Sequence, residues 1–271
     1  MLARAADLAR TSQRLSTGDS LARAYSFVEP LSALEAREAA SQGGLFDPDM
    51  PLKMGKGTES AQQEELEKFI AANEQGALKI YFPQGKSVLE RYFRDNNASL
   101  VNLASSISAI MASKSSRVAL VAVVGSASPE GTLAFNDRLA WNRALSLKEF
   151  IGDNTALARD SMRLFNGSED WRGLRRLVAA SDMYEKEEIL RIIDNVPVKQ
   201  GRELELMKLG SGRPYLYMLE HMFPELRNAA FIKVYYENVP DAAAEALAEG
   251  AAQVAAVSYT HLRAHETSAH L

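Results

Sequence analysis

The chain has 271 residues, with 31 Lys plus Arg against 35 Asp plus Glu, a formal net charge of −4, 46% hydrophobic and 24% charged residues, and no cysteine. This length allows one large or two modest domains with a sizeable core, and the near balance of charge gives no pull toward nucleic acid. Lack of cysteine excludes disulfide scaffolds, Cys-ligated zinc, iron–sulfur clusters and thiol catalysis together.

The sequence contains no run of the roughly eighteen apolar residues that would span a bilayer. At the N-terminus, MLARAADLARTSQRL is broken by Asp7 and Arg10 before an apolar segment forms, so it does not read as a secretory signal. Residues 1–40, rich in Ala, Arg, Glu and Leu, read as helix or as the end of an upstream domain. Ser41–Ser60 packs four Gly and two Pro into a linker-like stretch, which places a domain boundary near residue 60. Residues 61–240 then form the main domain. AQQEELEKFIAANE puts Leu66, Phe69 and Ile70 on one helical face, and Gly76 suits a C-cap. ALKIYFP is a strand ended by Pro83, and the following helix carries Leu100, Leu103, Ile107, Ile110 and Met111 at helical spacing. Val118–Val124 is apolar at every position, as in a central strand covered on both faces. FNDRLAWNRALSLKEFIGDN reads as a long helix and SMRLF as a third strand; helices around 171–180, 185–195 and 215–223 precede a last strand, AAFIKVYYE. The alternation predicts an α/β fold, a mixed sheet with helices packed on it and extra helices inserted before the last strand.

Residues 241–256 are an Ala-rich tail. Beyond them VSYTHLRAHET resembles the in-frame translation of a transposase sequencing adaptor, so Val257–Leu271 is expected to be a non-native tail and the chain a fragment. That reading removes His261, His265 and His270 as metal ligands and leaves His221 as the one native histidine. No metal or cofactor is expected.

The segment VVGSASPEGTLAFNDRLAWNRALSLKEFI joins a buried strand to a long helix through a loop of small residues. A phosphate loop requires a lysine after its last glycine, but Gly131 is followed by Thr132 and Leu133. A nucleophile elbow requires Gly-x-Ser-x-Gly, and both Ser126 and Ser128 miss the second glycine. Trp171 reads as a packing residue, His221 as a partly buried one, and the carboxylates of EKEEIL as a solvated helix face.

Strand, loop and helix together resemble the signature of the OmpA-like, peptidoglycan-associated domain, in which Gly-x-Thr-Asp-x-x-Gly precedes a helix bearing Asn-x-x-Leu-Ser-x-x-Arg-Ala. Gly125, Gly131, Asn136, Leu139, Arg143 and Ala144 fall at the matching positions without a gap. Upstream, KIYFPQGKSVLE is similar to the family's first strand with Phe82 at its aromatic place, and the resemblance runs from about Ala77 to Glu237. The Ala-Ser-Pro-Glu-Gly loop and the helices before the last strand resemble one branch of that family. The resemblance implies an OmpA-like α/β sandwich, no enzymatic activity, and a place in the periplasm or at the outer membrane. It implies as ligand the diaminopimelate of a peptidoglycan stem, a zwitterion whose carboxylate pairs with the helix arginine, here Arg143, and whose ammonium pairs with a loop aspartate. A guanidinium's planar fork of donors matches a carboxylate. Asn136, seven residues before Arg143, shares its helix face about 10 Å away, with roles open between ligand contact and bracing the loop. Gly125 and Gly131 read as backbone requirements, and Asp137 is an alternative ion-pair partner for Arg143. Ser128 stands where the family carries its aspartate, and a hydroxyl lacks that charge. Loss of one charged partner weakens binding by about 1.5–3 kcal/mol, and Glu130, two residues on, carries the nearest replacement. The alternative is a surface-structure or fimbrial assembly module that has lost stem binding, with other envelope proteins as partners.

Overall fold

The computed structural model describes residues 15–40 and 60–239. Expectations for residues 1–14, for the linker at 41–59 and for both tails beyond 239 lie outside the described residues. In chain order the elements are α1 (Thr17–Ala24), β1 (Val28–Pro30), α2 (Leu31–Ala40), α3 (Ser60–Asn73), β2 (Leu78–Tyr81), α4 (Asn96–Met111), β3 (Ser116–Ala127), α5 (Leu133–Asn154), β4 (Met162–Glu169), α6 (Trp171–Ala179), α7 (Lys186–Asn195), α8 (Arg202–Lys208), α9 (Arg213–His221), α10 (Phe223–Leu226) and β5 (Asn228–Asn238).

The five strands form one mixed sheet in the order β1-β5-β3-β4, with β2 also paired to β5. β5 runs antiparallel to β3, with Val234 opposite Val121, and β3 runs parallel to β4, with Val121 opposite Met162. The other edge of β5 is shared: β2 lies antiparallel along its first half, Leu78 opposite Ile232, and β1 lies parallel along its second half, Val28 opposite Val234.

The uninterrupted apolar run of β3 is explained by cover on both faces. Val121 and Val123 face one way, into a core with Leu103 and Ile107 of α4 and Leu147 and Ile151 of α5. Leu120, Ala122 and Val124 face the other way, toward Leu34 of α2 and Phe69 and Ile70 of α3. That parity is the two-residue repeat of a strand. The residues expected to form the inner face of α4 are buried apart from Met111, which is 39% exposed.

Residues 15–40, assigned above to an upstream domain, belong to this same sheet. The main-chain oxygen of Phe27 accepts from the Val234 N–H at 2.8 Å, and Phe27, Val28 and Leu34 are buried in its two cores. An edge strand of three residues, β1, is enough to cover part of β5 that would otherwise present unpaired backbone.

Helices α6–α10 fill the interval between β4 and β5 and have a core of their own, including Leu174, Ile189, Leu206, Met218 and Phe223. α8 was not anticipated from the sequence. It starts after Gly201, whose φ of 88° is left-handed and suits glycine.

Candidate functional site

The site forms where β3 ends and the chain turns back into α5. Gly125 is required by packing, because a Cβ there would lie 2.0 Å from the main-chain oxygen of Ala140 on α5. Gly131 is required by conformation, with φ at 99° in open space. Between them Ser128 is 4% exposed and therefore belongs to the interior. Thr132 caps α5, its hydroxyl accepting from the Phe135 N–H at 3.3 Å.

Arg143 is wholly buried. Side chains of a helix lean toward its N-terminus, and Arg143 accordingly reaches the loop. Its Nη1 donates to the main-chain oxygen of Ser126 at 2.8 Å, its Nε to that of Lys86 at 3.0 Å, and its Nη2 to that of Pro83 at a long 3.5 Å. The guanidinium carbon sits 5.2 Å from the centre of the Phe82 ring, a cation–π contact. These hydrogen bonds run to main-chain oxygens and none to Asp137. Burial, followed by the neighbouring charge of Arg227 and opposed by Glu130, brings its pKa down to about 10, so it stays charged at neutral pH.

Glu130 turns into the site. Its carboxylate accepts from Arg227 Nε at 3.1 Å on one oxygen and from Arg227 Nη2 at 3.2 Å on the other. This is the two-pronged arrangement that suits a guanidinium to a carboxylate. The Ser128 hydroxyl donates to the same carboxylate at 3.1 Å. The position expected to carry an acid thus supplies a donor to the acid two residues on. Both ion-pair partners are near the surface, 15% of the Arg227 side chain and 16% of that of Glu130 being exposed.

Two further acids, Glu169 at the end of β4 and Glu203 on α8, fix the loop. Asn136 Nδ2 donates to the Glu130 main-chain oxygen at 3.0 Å and to Glu169 at 2.8 Å. Glu169 also accepts from Trp171 Nε1 at 2.8 Å. Burial raises the Glu169 pKa, and those two donors oppose the rise. Glu203 accepts from the Gly131 N–H at 3.3 Å and from the Tyr215 hydroxyl at 2.5 Å. Burial and then Glu203 push the Tyr215 pKa up.

No family model matches the chain, and neither does any curated protein.

All six sequence-derived site residues, Gly125, Ser128, Glu130, Gly131, Asn136 and Arg143, meet at this one loop–helix junction. Arg227, Glu169, Glu203 and Tyr215 were missed, since they arrive from the end of β4, the helical insertion and its exit, and no local pattern marks them. The rest of the sequence's candidates lie elsewhere. Trp171 is 8% exposed and packs in the insertion's core. His221 has half its side chain exposed and lies against Tyr217 with the rings tilted and their centres 4.5 Å apart. Ser128 therefore donates to Glu130 and not to a histidine base. Among the described residues no group of three His, Cys, Asp or Glu side chains is placed to hold a metal ion, and no helix is long and apolar enough to cross a membrane. Chemically the junction offers hydrogen-bonding charges of both signs, which suits recognition of a dipolar ligand.

Proposed function

We propose that this chain is a non-enzymatic envelope protein whose OmpA-like domain binds or anchors to peptidoglycan through the diaminopimelate of the stem, in the periplasm or at the outer membrane. The observation that carries the reading is the forked ion pair of Arg227 and Glu130 at the loop into which the buried Arg143 also reaches. A diaminopimelate end carries an ammonium and a carboxylate on one carbon, and these are the two groups that such a loop can satisfy together. The mixed sheet and the gap-free spacing from Gly125 to Ala144 support the same reading.

One observation favours the assembly-module alternative. Glu130 and Arg227 already satisfy each other, and the loop departs from the family pattern at Ser128.

Calorimetric titration of the full chain with a diaminopimelate-containing stem peptide, alongside co-sedimentation with purified sacculi, decides between them. Saturable binding in both is the expected result. A folded protein that neither takes up peptide heat nor pellets with sacculi overturns the anchoring reading and leaves the assembly module.

A further inference from the structure

Resting on the peptidoglycan reading, we infer that Arg227 is the guanidinium that receives the ligand carboxylate, and that the Glu130–Arg227 ion pair is an internal zwitterion which the ligand's carboxylate and ammonium replace. Arg143 is then a positioning residue.

Burial separates the two arginines. Arg143 has no exposed surface, and its hydrogen bonds run to the main-chain oxygens of Ser126, Lys86 and Pro83. Turning it toward a ligand would strip buried carbonyls of their partners, which is more costly than leaving them paired. Its work is to tie the segment after β2 to the end of β3. Arg227 and Glu130 are each reachable from solvent at 15% and 16% side-chain exposure. Their bond uses Nε and Nη2 in the parallel geometry that an incoming carboxylate would reuse. Glu130, freed of Arg227, would offer its carboxylate to an ammonium with the Ser128 hydroxyl still donating to one oxygen.

Charge balance selects the ligand class. Arg143 and Arg227 stand near Glu130, while Glu203 and Glu169 face the loop from α8 and the end of β4 with donors of their own. An anionic ligand taking Arg227 would strip Glu130 of its forked partner, and a cationic ligand taking Glu130 would do the same to Arg227, each at only 15–16% side-chain exposure, which is unfavourable. A carbon bearing both ammonium and carboxylate leaves neither unpaired. The ligand is therefore an amino-acid-type zwitterion, and a stem whose third residue ends in a bare ammonium should be discriminated against.

The test is calorimetry on the full chain with two stem peptides, one carrying diaminopimelate and one carrying lysine, which lacks the second carboxylate. Wild type should prefer the diaminopimelate peptide. Arg227→Gln should weaken that peptide about tenfold or more and erase the preference, with Arg227→Lys intermediate because it keeps charge but loses the fork. Arg143→Lys should lower the melting temperature while the protein that remains folded keeps its affinity within about threefold and keeps its preference. Full affinity and preference in Arg227→Gln, in a wild type that binds, overturns this inference alone. A folded wild type that binds neither peptide overturns the peptidoglycan reading and this inference with it.

Discussion

Lys233 carries its ammonium into the interior between β5 and β1, with 1% of its side chain exposed. There it donates to the Ser26 main-chain oxygen at 3.1 Å and pairs with Glu29, which also takes Arg37 at 2.6 Å. Burial alone would raise the Glu29 pKa, but the hydrogen bonds from Lys233 and Arg37 outweigh it and hold the carboxyl below its ordinary 4.5. A carboxyl depressed in the folded state binds protons more readily when unfolded. Its stabilisation is fully present above about pH 4.5 and drains away as pH falls through the lower, folded value. Glu29→Gln should accordingly cost on the order of 3 kcal/mol at pH 7, where it strands a buried ammonium. Thermal melts of wild type and variant from pH 7 to 3 should converge as the wild-type carboxyl protonates; a gap that stays constant to pH 3 would remove the ion pair as its cause.

At the scale of the element, α5 owes its position to a missing side chain. It lies so close on β3 that the Gly125 Cα faces the Ala140 carbonyl, and Ala144 packs beside it. Gly125→Ala should push the helix off the sheet and destabilise by about 1–3 kcal/mol, as overpacking does, read as a lower urea midpoint with an unchanged slope. An unaltered midpoint would mean the contact is looser than described. Much of this element was legible in advance. The apolar run of β3 and the helical spacing of α5 each announce themselves within a dozen residues, and the mixed α/β architecture follows from their alternation. The candidate loop was legible because its residues are neighbours in sequence. What stayed hidden depends on long-range contact: Arg227 meets Glu130 across 97 residues, and Glu203 meets Gly131 across 72. β1 is three residues long, too short to show any period, so its segment read as part of another domain.

At the scale of the whole molecule, that segment closes the sheet. It contributes Phe27 and Val28 to one core and Leu34 to the other, and its backbone occupies the second half of the outer edge of β5. A chain lacking residues 1–40 should lose cooperative thermal unfolding followed by circular dichroism and should self-associate through the uncovered edge. A shortened chain that stays monomeric and melts as sharply as the original would show that the unit is complete without it.

β5 is the last strand among the described residues, yet β1, β2 and β3 all pair with it, and the pairing of Val28 with Val234 joins points more than two hundred residues apart. A sheet whose central strand is made after the other four can pair β3 with β4 early but cannot close until that strand has been made. Contacts so distant in sequence are also slow to form, so the earlier strands must wait with open edges until residue 238 emerges. Closure of this sheet therefore follows synthesis of β5, and the strand that completes it also brings Arg227, at its threshold, to Glu130.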